Sequence, residues 1–177
     1  IRMRGEAFSP AAGIEAGALA AVTGDVRSLS YDLADFPNVR IANINAPQQT
    51  VIGGPKADLE AAEPGLEQKG HTLSRLPVAA AFHTPCVAYG AGVWIEALRG
   101  ANFDSTAFPV CSNTTGEFHQ PSADSVRSLL ARHPIEPVRF MECIERLYAE
   151  GVRVFVEVGP RSILSRPNSP AAMASLS

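Results

Sequence analysis

The first half of the chain alternates between stretches in which every second residue is apolar and stretches in which apolar residues recur at helical spacing. Period-2 alternation is typical of a half-buried strand, whereas recurrence every three or four residues is typical of an amphipathic helix. The pattern over residues 17–78 predicts the order β-α-β-β-α-β, the split ferredoxin-like unit, with two helices on one face of a four-stranded antiparallel sheet. The predicted strands are 17–24, 39–45, 50–52 and 71–78, and the predicted helices are 25–36 and 56–69.

The second half alternates helical patterns with short apolar runs, which is typical of an α/β layer. The run 152–158 is apolar at alternate positions and beyond, as in a strand buried in a parallel sheet, and a tight turn at 159–162 would lead into a short helix. We therefore expect residues 79–165 to form one edge of a larger doubly wound domain. Residues 1–16 would be a helical segment of that domain, and residues 166–177 a linker or tail. The other predicted elements are helices at 85–99, 123–131 and 137–149 and a strand at 109–112.

Composition places the chain among ordinary globular proteins. Of its 177 residues, 46% are hydrophobic and 19% are charged, and no apolar run approaches the length of about 20 residues that crosses a bilayer. No signal peptide is visible, and the missing initiator methionine indicates that Ile1 is a cut boundary. The net charge of −3 and the scattered basic residues argue against nucleic acid as a partner. Three widely spaced cysteines match neither a disulfide framework nor a zinc motif, so we expect a reducing cytoplasm.

One histidine stands at a position suited to acid–base chemistry. His83 follows an apolar run that ends at Phe82 and precedes a predicted helix start, with Thr84 as N-cap and Pro85 as first helical residue. Considered without its surroundings, such a histidine is more often a structural cap. A general base here would need a nucleophile, yet the chain contains no Gly-x-Ser-x-Gly elbow. We interpret the chain as part of an enzyme whose nucleophile lies on an upstream segment.

Several longer motifs occur together and in a fixed order. They are Arg4-Gly5, Gly17-Ala18-Leu19-Ala20-Ala21-Val22, Asn43-Ile44-Asn45-Ala46-Pro47-Gln48-Gln49-Thr50-Val51-Ile52-Gly53-Gly54, Ala81-Phe82-His83, Asn113-Thr114-Thr115-Gly116, Pro137-Val138-Arg139-Phe140 and Glu157-Val158-Gly159-Pro160. This order resembles that of malonyl-coenzyme A:acyl carrier protein transacylases over nearly the whole chain up to Leu164. Residues 112–116 and 148–157 look most like the acyltransferase domain of iterative type I synthases, of the enediyne polyketide or polyunsaturated fatty acid kind, of which this chain would be the C-terminal part.

The resemblance implies a fold and a reaction. Members of the family have an α/β-hydrolase-like large subdomain with an inserted ferredoxin-like small subdomain, which agrees with the layout predicted from periodicity. A serine at a strand-to-helix elbow takes a malonyl group from malonyl-coenzyme A and passes it to the phosphopantetheine thiol of an acyl carrier protein. No bound cofactor is implied. The implied partners are the acyl carrier protein, an upstream segment carrying Gly-His-Ser-x-Gly, and adjacent synthase domains, with neither nucleic acid nor membrane.

The resemblance also implies roles for individual residues. His83 matches the histidine that accepts the serine proton and returns it to the leaving thiol, a task suited to an imidazole titrating near neutrality. Arg4 matches the arginine whose guanidinium holds the free carboxylate of malonate by paired charge-assisted hydrogen bonds. His133 stands where the family's backbone carbonyl orients the catalytic histidine.

Three further positions bear on substrate binding. Phe82 completes the Ala-Phe-His form that resembles malonyl-selective domains, in which a bulky ring leaves little room for an α-methyl group. Asn43 and Asn45 match asparagines near the approach of coenzyme A or pantetheine, and they could equally cap the turn at Ala46-Pro47.

A rival interpretation comes from another functional class. The chain would then be a non-catalytic ferredoxin-like module that binds a carrier protein or a small effector. The missing serine favours this interpretation, whereas a companion segment that supplies Gly-His-Ser-x-Gly would favour the transferase.

Overall fold

The computed structural model describes residues 2–120 and 122–159. One short helix precedes a region in which strands and helices alternate, and that region is followed by helices with a short strand between them. In chain order the elements are α1 (Arg2–Ala7), β1 (Ala18–Thr23), α2 (Val26–Asp32), a first 3₁₀-helix (Leu33–Asp35), β2 (Arg40–Ala46), β3 (Gln49–Gly54), α3 (Lys56–Gln68), β4 (Thr72–Arg75), a second 3₁₀-helix (Pro85–Gly90), α4 (Ala91–Arg99), α5 (Ala123–Arg132), β5 (Val138–Arg139) and α6 (Phe140–Ala149).

The strands of the described residues form one mixed sheet in the order β4-β1-β3-β2-β5. β1 pairs antiparallel with β3 and with β4, and β2 pairs antiparallel with β3. β5 runs parallel to β2, with Asn43 opposite Val138. The predicted order β-α-β-β-α-β over residues 17–78 is therefore present, and its neighbouring strands are all antiparallel.

The main core lies between this sheet and the helices α2 and α3. Val22 of β1 and Ile52 of β3 are buried in the same cluster as Leu29 of α2 and Leu59 and Leu66 of α3. Burying a leucine or isoleucine side chain contributes about 2 kcal/mol. This cluster holds β2 and β3 in place, and β2 in turn carries one wall of the site described below.

A second apolar cluster joins the N-terminal helix to the segment after β4. Phe8, Ala80 and Val87 are buried together there, with Trp94 of α4 packed against them. The indole Nε1 of Trp94 donates to the carbonyl of Leu130 at 2.7 Å, which ties α4 to α5. Helices α4 and α5 are thus both fixed to this apolar cluster, α5 through the indole of Trp94.

The predicted strand at 109–112 is wrong. This segment makes only an isolated bridge between Cys111 and Phe118 within the described residues. The N–H of Ser112 donates to the carbonyl of Glu117 at 2.8 Å, so the segment satisfies its backbone groups within a local loop. A short apolar run cannot reveal whether its hydrogen-bond partners are local or distant.

The predicted buried strand at 152–158 is also wrong for this structure. The run forms no strand, and the side chains of Val154 and Val158 are 79% and 94% exposed. An apolar run is buried only where another layer covers it, and the described part of the chain provides no such layer here. The predicted short helix after 159 and the predicted linker at 166–177 fall outside the described residues.

Two predicted helices are present with different beginnings. The helix expected at 137–149 begins at Phe140, because Val138–Arg139 joins the sheet as β5. The helix expected at 85–99 begins as the second 3₁₀-helix and continues as α4, with Thr84 as the predicted N-cap accepting from the N–H of Cys86 at 3.3 Å. None of the helices over residues 2–120 and 122–159 has the length and apolar character needed to span a membrane.

Candidate active site

His83 lies in the bend between β4 and the second 3₁₀-helix. Its φ of 66° is in the left-handed region, which residues other than glycine seldom occupy. The backbone N–H of His83 donates to the carbonyl of Pro134 at 2.7 Å, which anchors the bend to the loop after α5. Backbone strain of this kind persists where surrounding contacts hold it, and it is enriched at functional sites.

The imidazole of His83 is held by two backbone carbonyls. Its Nδ1 lies 2.8 Å from the carbonyl oxygen of His133 and 3.2 Å from that of Glu136. Since a carbonyl oxygen can only accept, Nδ1 carries the proton and donates to both. The neutral ring therefore keeps an unprotonated Nε2, which is the tautomer that a general base requires.

Both histidines at this site favour the neutral form. Burial lowers the pKa of His83 below its usual 6.5, the two carbonyl hydrogen bonds oppose that change, and the charge of Arg4 adds to it. The ring of His133 meets that of His83 edge-on, with centroids 4.9 Å apart. Burial, with the nearby His83 and Arg4, lowers the pKa of His133 to about 4. At neutral pH the Nε2 of His83 is therefore available to accept a proton.

Arg4 lies on α1 beside the aromatic residue that precedes His83. Its Cζ is 5.6 Å from the centroid of the Phe82 ring, a distance at which a cation is attracted to the face of an aromatic ring. Phe8 packs edge-on against Phe82 with centroids 5.7 Å apart. The hydroxyl of Tyr89 donates to the carbonyl of Phe8 at 2.7 Å, so the end of α1 is fixed to the segment after His83.

A groove of about 460 Å³ opens beside His83, and we call it the His83 groove. Most of its wall is apolar, with Leu33 from the first 3₁₀-helix, Ile41 from β2 and Ile135 from the loop after α5. Arg40 lines the same groove and brings a permanent positive charge. This lining suits a ligand whose uncharged part lies against the apolar wall beside the histidine.

The structure brings four of the six predicted site residues together. Arg4, Phe82, His83 and His133 are neighbours through the contacts given above. Asn43 and Asn45 lie on β2, where both are half-buried. Asn43 stands opposite Val51 of β3 and Val138 of β5, and neither asparagine lines the His83 groove.

Sequence reasoning missed three contributors to the site. The carbonyls of Pro134 and Glu136 hold the backbone and the ring of His83, and Arg40 lines the groove. Every residue has a carbonyl, so a residue that acts through its backbone leaves no mark in the side-chain pattern. The motif at Pro137-Val138 located the loop, but the loop conformation decides which of its carbonyls reach Nδ1. Within the described residues, no cluster of three or more His, Cys, Asp or Glu side chains could hold a metal ion.

Comparison with known proteins identifies the family to which the chain belongs. The family model described as "Acyl transferase domain" matches residues 2–172. The chain belongs to the acyl transferase domain family. The malonyl CoA-acyl carrier protein transacylase of Bacillus subtilis (strain 168) is 32% identical over 171 residues, which cover 93% of this chain and 54% of that protein. A polyunsaturated fatty acid synthase polypeptide of Thraustochytrium sp. is 29% identical over 153 residues, which cover 85% of this chain and 5% of that protein.

Solved structures agree with this assignment. The acyl transferase domain described here superposes on the crystal structure of MCAT from Streptococcus pneumoniae with a TM-score of 0.84 and 27% identity, covering 98% of this chain and 62% of that one. The predicted family resemblance and the predicted α/β class are therefore confirmed, and β5 makes the sheet mixed where four antiparallel strands were predicted. The chain spans about half the length of the Bacillus transacylase, at 54%, and a small part of the much longer synthase.

Proposed function

We propose that this chain is part of an acyltransferase that moves a malonyl group from malonyl-coenzyme A, through a serine ester, to the phosphopantetheine thiol of an acyl carrier protein. The observation that carries the proposal is the pair of carbonyls that hold the Nδ1–H of His83 and leave its Nε2 as a proton acceptor. The named activity of the Bacillus transacylase, to which the chain is similar, supports it. The serine would come from an upstream segment with the motif Gly-His-Ser-x-Gly.

The chemistry consists of two acyl transfers that share one base. In the first, Nε2 of His83 accepts the serine proton while the serine oxygen attacks the thioester carbonyl, the carbon–sulfur bond breaks, and the imidazolium returns the proton to the departing thiolate. In the second, the same nitrogen takes the proton of the carrier thiol, sulfur attacks the serine ester, and the serine oxygen leaves and regains a proton. A pKa below the usual value keeps His83 neutral, and hence basic, at neutral pH.

Arg4 and Phe82 would select the acyl group. Arg4 contacts the ring of Phe82, and its charge lowers the pKa of both histidines, which supports a role for its guanidinium at the acyl group. A guanidinium there can hold the malonyl carboxylate by two parallel hydrogen bonds. The Phe82 ring lies between Arg4 and Phe8 and would limit the space for an α-methyl group. His133 would act through its backbone carbonyl. Asn43 and Asn45 lie outside the His83 groove, which favours their alternative role at the turn Ala46-Pro47 over a contact with the pantetheine chain.

The proposed layout divides the chain into four segments. Residues 17–78 would be a ferredoxin-like small subdomain, which the strand order β4-β1-β3-β2 supports. Residues 1–16 and 79–165 would belong to an α/β-hydrolase-like large subdomain, and residues 166–177 to a linker. The exposed apolar run at 152–158 would then be covered by the remainder of that subdomain. The proposal also includes further synthase domains adjacent to this chain and a location in the cytoplasm.

The test supplies the chain with its missing partner. Malonyl-coenzyme A is added to the chain purified together with a segment that carries Gly-His-Ser-x-Gly, and each polypeptide is weighed by intact-mass spectrometry. We expect a malonyl adduct on the serine segment. His83→Ala should slow its formation by roughly 100- to 10,000-fold, the usual contribution of a general base. His119→Ala is the matched control, because His119 lies outside the His83 groove and should leave the rate unchanged.

Two outcomes would contradict the proposal. A complex that forms but never gains the malonyl mass would favour the rival interpretation, a non-catalytic ferredoxin-like module that binds a carrier protein or an effector. An adduct that forms equally fast with His83→Ala would remove His83 from the reaction. Replacing Arg4 with alanine should in addition raise the ratio of acetyl to malonyl loading, because the carboxylate partner is lost.

A further inference from the structure

One charged side chain of the His83 groove has no role in the chemistry proposed so far. Arg40 is the first residue of β2, and its backbone lies opposite Gly53 of β3 in the antiparallel ladder. It is exposed, and it lines the groove together with His83. Of the described residues that line this groove, Arg40 is the one with a permanent charge. The pairing with Gly53 fixes the backbone of Arg40 in the sheet, from which its side chain extends into the groove.

Among the residues that the structure describes, Arg40 lacks the acidic partner that most of the other arginines have. Over residues 2–120 and 122–159, no carboxylate lies within 4.0 Å of its guanidinium. Glu15 lines a neighbouring groove with Arg40, but its Oε1 already accepts the backbone N–H of Lys56 at 2.7 Å. The described arginines that do have a carboxylate partner are Arg2, Arg75, Arg99, Arg127, Arg132, Arg139 and Arg146.

The groove thus combines a base, an apolar wall and a cation that has no carboxylate partner in the described part of the chain. A pantetheine arm has the complementary sequence of groups: a thioester at one end, an uncharged chain in the middle and a phosphate at the other end. Guanidinium groups match phosphate oxygens by paired charge-assisted hydrogen bonds. We propose that Arg40 binds the phosphate of the pantetheine arm while the thioester lies against His83. The inference rests on the proposed function, and it applies to both substrates because coenzyme A and the carrier-bound arm both have a phosphate at this end.

The test compares ligands that differ only in that phosphate. The affinity of the chain for 4′-phosphopantetheine and for pantetheine is measured by NMR titration, for the wild type and for Arg40→Gln. We expect the wild type to bind the phosphorylated ligand roughly 5- to 10-fold more tightly, as for one exposed charge-assisted contact. Arg40→Gln should abolish that difference and leave the affinity for pantetheine unchanged. Raising the salt concentration should weaken only the phosphorylated ligand.

Arg27→Gln is the matched control. Arg27 is also an exposed arginine without a carboxylate partner among the described residues, but it lies on α2 outside the groove. Its replacement should preserve the preference for the phosphorylated ligand. A loss of preference in both variants would mean a general effect of net charge and would overturn the assignment, as would an unchanged preference in Arg40→Gln.

Two further arms separate the sources of the phosphate and the two proposals. Coenzyme A and a phosphopantetheinylated carrier protein should both lose affinity for Arg40→Gln, and a loss confined to coenzyme A would overturn the assignment in favour of its adenosine phosphates. If the preference for the phosphorylated ligand depends on Arg40 but the serine segment gains no malonyl group, the phosphate site is supported and the acyltransferase proposal is contradicted. If the serine segment is loaded but no such preference is measured, the acyltransferase proposal is supported and the phosphate site is contradicted.

Discussion

Replacing His133 with glutamine should change how the stability of the fold depends on pH. The folded chain lowers the pKa of His133 from 6.5 to about 4, chiefly through burial and also through the charges of His83 and Arg4. Between these two pH values the unfolded chain binds more protons than the folded chain does. The free energy of unfolding therefore falls as the pH is lowered from about 6.5 to about 4.

The magnitude follows from the size of the shift. A change from 6.5 to about 4 corresponds to about 3 kcal/mol at full strength, at about 1.4 kcal/mol for each pKa unit. His133 is only half-buried, so solvent screens part of this effect, and we expect about 2 kcal/mol. Glutamine has no titrating group and preserves the backbone carbonyl that accepts from Nδ1 of His83. The variant should therefore lose the pH dependence that His133 contributes, while the backbone carbonyl at position 133 still accepts from the ring of His83.

The assay is urea unfolding followed by tryptophan fluorescence at pH values from 4 to 7.5. Trp94 is the single tryptophan of the chain, and its Nε1 donates to the carbonyl of Leu130 on α5, the helix that ends just before His133. On going from pH 7.5 to pH 4, the wild type should lose about 2 kcal/mol more stability than His133→Gln. The other titrating groups are common to both proteins, so their contributions cancel in the comparison, apart from that of His83, whose charge is coupled to His133.

A constant difference between the two proteins over this pH range would refute the reasoning. So would an imidazole NMR signal of His133 that titrates with a midpoint near 6.5 in the folded wild type. Either result would mean that the ring of His133 is solvated and that neither burial nor the neighbouring charges act on it.

Three further predictions concern the core, a turn and the acyl pocket. Leu59→Ala should lower the free energy of unfolding by about 3 kcal/mol, because Leu59 is fully buried in the main core. A loss below about 1 kcal/mol in urea unfolding would mean that this core is loosely packed. Gly24→Ala should destabilise the fold by about 1–3 kcal/mol, since the added Cβ would lie 2.6 Å from Nδ1 of His71. An unchanged midpoint of thermal unfolding would contradict this close approach. Phe82→Leu should raise methylmalonyl relative to malonyl loading in a competition assay, because a smaller side chain widens the site beside Arg4. An unchanged ratio would mean that Phe82 does not determine which acyl group is loaded.

Much of the small sheet could be predicted from the chain alone. Strand β1 and helices α2 and α3 follow from local periodicity, because Val22, Leu29 and Leu59 recur on the faces that become the main core. The family resemblance singled out Arg4 and His83, because the chemistry assigned to both lies in their side chains. Local periodicity and side-chain motifs can be recognised from the order of residues alone.

Other features were decided by tertiary structure. The runs 109–112 and 152–158 have strand-like patterns, but a strand also needs a partner ladder, and the pattern does not record whether one is present. The carbonyl of Glu136 reaches the ring of His83 only because the loop after α5 brings it there. Arg40 and His83 are distant in the chain, and they line one groove only because the fold brings them to it. Periodicity determines which face of an element is apolar, whereas the surroundings of that face depend on contacts between residues that are distant in the chain.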